Sequence, residues 1–137
     1  MSEDNKALYR RMTDKIWNKG DLDAIEDFFA RDVVIHSAPP DWPAGSAGVN
    51  ATVSMWRGAL PDFDLDLQFV IGEGDKVANY WTISGTHSNE LLGIAGTGKH
   101  IEVSGMSLVR FENGKVAEIW SASDQLGLMR ELGAIPS

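Results

Sequence analysis

Asp64-Leu65-Asp66-Leu67-Gln68-Phe69-Val70-Ile71, followed by Gly72-Glu73-Gly74-Asp75, is where the chain changes period. Polar and apolar residues alternate through most of the first eight, the two-residue repeat of a strand with one buried face. Gly74-Asp75 supplies a tight turn. Residues 76–87 then read as a long strand. Asn79, Trp81, Ile83 and His87 share one parity, and Tyr80, Thr82 and Thr86 the other. Residues 88–98 contain Gly93, Gly96 and Gly98 and read as a connecting loop. Residues 99–111 form another strand, Glu112-Asn113-Gly114 a turn, and Lys115–Ser123 the last strand, with a short helix after it.

The first half follows a helical period instead. Leu8, Met12 and Ile16 recur at four-residue spacing with Tyr9 and Trp17 beside them, which predicts a helix over residues 3–18. Asn18-Lys19-Gly20 stops it. Asp21 is then expected to cap a second helix, with Leu22, Ile25, Phe28 and Phe29 as its stripe. Residues 32–37 are rich in β-branched side chains and predict a strand. A proline-rich loop runs to Gly45, and a third helix begins near Ser46, striped by Val49, Val53, Trp56 and Leu60 and ended by Pro61. The 137 residues suit one domain. Segregated helices and hairpin-linked strands imply an α+β fold, with helices on one face of a mostly antiparallel sheet. Long strands twist, so the sheet should curve around a concave pocket.

Twenty acidic residues against twelve basic ones give a net charge of −8. That balance argues against nucleic acid and anionic membrane as partners. Cysteine is absent, which excludes disulfides and thiolate chemistry. The start, Met-Ser-Glu-Asp-Asn-Lys, lacks an apolar signal core, and no stretch is apolar enough to span a bilayer. The expected location is cytoplasmic. His36, His87 and His100 are far apart and show no metal-ligand spacing, so no metal site is expected. Residues 93–99 lack the spacing of a phosphate loop and lead into a strand.

What remains for chemistry is a carboxylate among aromatic rings. Continued alternation puts Trp120, Ala122 and Asp124 on one side of the last strand. A carboxylate against apolar surface loses hydration, its pKa rises, and it becomes a usable acid or base near neutrality. Asp124 also precedes the final helix, where aspartate is a favoured N-cap, and one residue can fill both roles. His36 stands at a strand end, and His87 shares its parity with Trp81. Trp56, Trp81 and Trp120 are either core residues or pocket walls, and Met106 is a flexible apolar side chain suited to the same surface.

Several stretches together resemble the SnoaL-like polyketide cyclase (ester cyclase) family. They are Asn18-Lys19-Gly20-Asp21-Leu22-Asp23, Val34-Ile35-His36 with its proline-rich loop, Leu60-Pro61-Asp62-Phe63, Gly85-Thr86-His87, residues 93–99, Phe111-Glu112-Asn113-Gly114-Lys115-Val116 and Trp120-Ser121-Ala122-Ser123-Asp124. The resemblance implies a nuclear transport factor 2-like (cystatin-like) cone, a homodimer formed through the sheet, and catalysis without metal or organic cofactor. It further implies acid/base ring closure of an aromatic polyketide ester, with Asp124 as the proton carrier; in this chain His36 or His87 is expected to donate or orient. Trp56, Trp81, Met106 and Trp120 would then contact a small apolar or aromatic molecule. Ser104, Met106 and Ser107 stand where relatives carry an assisting histidine. The same fold also serves non-catalytic binders, isomerases and epoxide hydrolases.

Overall fold

A computed structural model describes residues 2–135 of the chain. The predicted first helix forms as α1 (Ser2–Met12) and runs on through one widened, π-helical turn, Thr13–Asn18. The widening shows in the bond from Lys19 N–H to the carbonyl of Asp14, five residues back. Gly20 closes the segment in the left-handed region, at φ 71°. The Asn18 side chain then behaves like a piece of strand. It donates to Leu65 O at 2.9 Å and accepts from Leu65 N at 2.7 Å, which fastens the helix end to the sheet edge.

The second helix is shorter than its stripe predicts. Only a 3-10 turn, Leu22–Ala24, and one α turn, α2 (Ile25–Phe28), form, and Asp21 makes no side-chain cap. Phe29 opens β1 (Phe29–Ile35) instead. Ile25 and Phe29 are both buried, and their four-residue spacing fits a helix and a strand alike, so periodicity does not separate the two. Pairing of this segment with the last strand decides the matter, because so short a helix gains little by itself. Helix α3 (Ser46–Ala59) buries Val49, Val53 and Trp56 and stops before Leu60-Pro61, as expected.

Strands β2 (Asp64–Glu73), β3 (Lys76–Thr86), β4 (His100–Glu112) and β5 (Lys115–Ser123) follow, then α4 (Gln125–Glu131). The spatial order is β1-β5-β4-β3-β2. Strand β1 runs parallel to β5, and every other neighbouring pair is antiparallel. The sheet is curved and unclosed. Bulges between Leu67 and Phe69, and between Arg110 and Phe111, switch the parity of which residues face inward. The inner face carries two apolar clusters. One joins Tyr9, Met12, Ile16 and Phe29 to Val109 and Phe111. The other joins Trp56, Leu60 and Phe63 to Ile83, Leu128 and Leu132. The outer face carries a polar trough of Asp64, Asp66, Tyr80, Thr82 and Glu102, with exposed Phe69, Ile71 and Met106 on the same side.

Among the described residues no helix is long and apolar enough to cross a membrane.

Candidate active-site cavity

The concave face of the sheet and the helices enclose a cavity of about 610 Å³, within the range that takes a drug-sized molecule. Its walls are apolar, with Trp17, Trp42, Trp56 and Trp81 contributing four of the chain's five indoles. Its rim comes from three places. Ser37 and Pro39 stand on the loop after β1, Leu92 on the β3–β4 connection, and Ala122 and Gln125 at the junction of β5 and α4; all five line the cavity and are solvent-exposed. No Asp, Glu, His, Lys or Arg is among the described lining residues.

Ser37, Thr52, Ser123 and Gln125 are polar residues of the lining, and a further polar cluster lies on its sheet wall. Ser107 on β4 and Ser121 on β5 are register partners, and their hydroxyl oxygens lie 3.0 Å apart. The Trp81 indole N–H donates to Ser107 Oγ at 3.0 Å. Indole can only donate, so Trp81 fills an acceptor site on Ser107; either serine hydroxyl can donate to the other, and when Ser107 donates, the Ser121 proton is left for a ligand. Tyr9, buried on α1, completes the group. Burial pushes its phenol up to about 12, and hydrogen bonding with Asn79 and Ser107 only partly offsets that rise. Tyr9 is therefore a neutral donor throughout the physiological range.

Gly105 makes the arrangement possible. It is the β4 partner of Trp81, and a Cβ there would meet the indole ring, with Trp81 Cη2 and Ala122 O each at 2.7 Å. With no side chain at 105, the ring lies across the strand and its N–H reaches Ser107.

A pH titration checks the Tyr9 environment. Its pKa in the folded protein lies above the ordinary 10.0, so folding favours the neutral phenol. That stabilisation is whole below about pH 10 and is lost as pH climbs through about 12. The ultraviolet phenolate signal should therefore show a late-titrating tyrosine that Tyr9→Phe removes. A late phase unchanged in Tyr9→Phe would refute the assignment.

The residues singled out from the sequence are not gathered at this cluster. Trp56 and Trp81 line the cavity as expected. Trp120 does not. With no bulge between Glu118 and Ser123, the inward positions are Ile119, Ser121 and Ser123, and Trp120 faces out. There it stacks on His36, with ring centroids 4.7 Å apart and planes 8° off parallel. His36 Nε2 also hydrogen-bonds Glu118 Oε2 at 2.8 Å, and Arg110 Nε donates to Glu118 Oε1 at 2.6 Å. Those two bonds hold the Glu118 carboxyl below the usual range. Met106, an even position on β4, is 55% exposed on the outer face.

Asp124 takes its capping role. Its Oδ1 accepts from Gly127 N at 2.8 Å, the side chain is solvent-exposed, and Trp120 is not beside it on the cavity side. Its chain neighbours Ser123 and Gln125 do line the cavity, so it stands at the mouth. Neither histidine is hydrogen-bonded to it. His87 is fully buried at the inner parity expected for it, but its Nδ1 is engaged by Thr97, whose Oγ1 is 3.0 Å away and whose backbone N–H donates at 3.2 Å. Tyr9, Ser107 and Ser121 were not among the expected site residues. A polar side chain recurring at inward positions of β4 and β5, between Val103 and Val109 and beside Ile119, is the signal that marks two of them.

Among solved structures, TsrD from Streptomyces laurentii is 27% identical, covers 97% of each chain and superposes with a TM-score of 0.89. A candidate polyketide cyclase from Acidithiobacillus ferrooxidans is 27% identical over 96% of this chain and 95% of its own, with a TM-score of 0.83. AclR, a candidate hydroxylase from Streptomyces galilaeus, is 29% identical over 100% of this chain and 85% of its own, at 0.86. No curated protein matches. The family model for SnoaL-like polyketide cyclases matches residues 7–132, nearly the whole chain. With the curved α+β sheet and its enclosed cavity, that match establishes that this chain belongs to the SnoaL-like polyketide cyclase family.

Proposed function

We propose that the cavity binds a small apolar or aromatic carbonyl compound and promotes its ring closure by intramolecular aldol addition, or a related proton transfer. The reaction uses neither metal nor organic cofactor and takes place in the cytoplasm. One observation carries this reading: an uncharged, mostly apolar cavity with a linked cluster of neutral hydrogen-bond donors on its sheet wall. Enolisation moves charge onto a carbonyl oxygen, and preorganised donors aimed at that oxygen lower the barrier. Ser121 donates to it, supported by Ser107, Trp81 and Tyr9. Trp56 and Trp81 hold the flat substrate and exclude water.

The carbon proton must still be accepted and later returned to the new alkoxide. Asp124, between two lining residues at the mouth, fills that role when the substrate draws it from its cap. Asn caps a helix about as well as Asp, so Asp124→Asn keeps α4 while removing the proton acceptor. Turnover of an accepted substrate should fall about 10²–10⁴-fold. Unchanged turnover would take the proton step away from Asp124.

A second reading, a binder without catalysis, is favoured by the capped, solvent-facing carboxylate and by the uncharged lining. It predicts ligand binding that is identical in the wild type and Asp124→Asn, with no product in either.

A further inference from the structure

Leu92 breaks a local rule. Residues 91–94 form a two-residue hairpin turn, with Leu91 N–H bonded to Ile94 O and Ile94 N–H to Leu91 O, both at 2.9 Å. Both central residues are left-handed, Leu92 at φ 52° and Gly93 at φ 80°. Such a turn favours Asn, Asp or Gly at its first central position, because a branched side chain crowds the backbone there. Leucine is thus held in a strained conformation, and folding gives little in return, since the side chain stays 46% exposed. Its neighbours do the packing: Leu91 is 1% exposed and Ile94 lies half-buried against the second apolar cluster. What the Leu92 side chain does reach is the cavity, whose rim it forms.

The connection that carries it is pinned on both legs. Ser88 and Asn89 donate their N–H groups to Ala59 O, and the Asn89 amide donates to Gly58 O at 2.8 Å. On the return leg, Thr97 is held by the buried His87 ring, and Gly98 N–H bonds His87 O. A tip anchored this way is a fixed projection rather than a swinging flap. Strain that persists at an exposed apolar residue facing a cavity points to a role in that cavity.

We propose that Leu92 is the specificity-determining stop of the cavity, limiting how long a flat apolar molecule it admits. The inference rests on the reading of the cavity as the substrate site. The other solvent-exposed lining residues, Ser37, Pro39, Ser121, Ala122 and Gln125, are small, cyclic or polar, so Leu92 is the one branched apolar side chain among them.

The test uses the full chain with Leu92→Asn, which suits the left-handed turn, and Leu92→Gly, which relieves its strain. Acetophenone, 2-acetonaphthone and 2-acetylanthracene serve as neutral probes of increasing length. Their binding is read as quenching of the fluorescence of the cavity indoles. The wild type should bind the two shorter probes and exclude or weakly bind the longest. In both variants affinity for 2-acetylanthracene should rise about tenfold or more, the scale of one apolar contact in a pocket, with the shorter probes little changed. Wild type and variants binding all three probes alike would overturn the stop while leaving the cavity reading intact. Affinities shifting equally for every probe would also overturn it. Failure of every probe to quench the wild type would sink the cavity reading and the stop with it.

Discussion

Ser121→Ala is expected to lower kcat on an accepted carbonyl substrate by about 10²–10³-fold, with KM changing far less. The reason lies in the direction of the hydrogen bonds. Trp81 fills an acceptor site on Ser107, and either serine hydroxyl can donate to the other; when Ser107 donates, Ser121 keeps a donor open to the cavity. An oxygen that becomes anionic only during reaction gains most from such a donor, so the loss falls on the chemical step rather than on binding. The fold should not suffer, because the Ser121 side chain is exposed and supports no core packing. Equal thermal midpoints for variant and wild type would establish that. A kcat within a few-fold of wild type would remove the serine pair from the mechanism. Tyr9→Phe provides the companion measurement, since Tyr9 lines the same cavity and Ser107 is among the groups that bear on its phenol.

Gly105→Val should do the larger structural damage. Its Cβ would occupy the place of the Trp81 ring, and strand backbone closes the other side at Ala122 O. Neither neighbour is a flexible chain end, so the indole must swing off the sheet or the strands must part. Overpacking of this kind costs about 1–3 kcal/mol. It also breaks the Trp81–Ser107 hydrogen bond and fills the cavity floor, so probe binding should be lost together with stability. A double-mutant cycle with Trp81→Ala isolates the cause. If the clash with the indole is responsible, the two costs will not add, and the double variant will be more stable than their sum predicts. Strict additivity would place the damage elsewhere.

The fold was legible in the sequence because its long strands alternate cleanly and its turns are marked. The Gly74 and Asn113-Gly114 turns set two hairpins, and parity along residues 76–87 groups Asn79, Trp81, Ile83 and His87 together, the set that faces inward. The α2–β1 segment was not legible, since its apolar spacing fits a helix and a strand alike and tertiary pairing decides. At the site the difficulty was parity at a strand end. Counting from Trp120 to Asp124 assumes that the strand continues, yet it ends at Ser123 and the chain turns into α4. Which parity of β5 faces inward depends on the offset at the bulge opposite Arg110 and Phe111, where Ala117 is skipped. Nothing local in the sequence fixes that offset. Trp120 faces outward for this reason; Met106 faces outward with Tyr80, its partner in the unbroken β3–β4 register. Tyr9 reads as one more stripe residue of α1, because only the folded chain brings it against Asn79 and Ser107.

The rim of the cavity and its hydroxyl row belong to different parts of the molecule. Ser107 and Ser121 sit mid-ladder, where hairpin geometry holds them in place. Pro39, Leu92 and Gln125 sit on three stretches unconnected to one another. Insertions or exchanges in those stretches leave the ladder undisturbed, so descendants of this chain can take on new guests while inheriting the same chemistry unaltered.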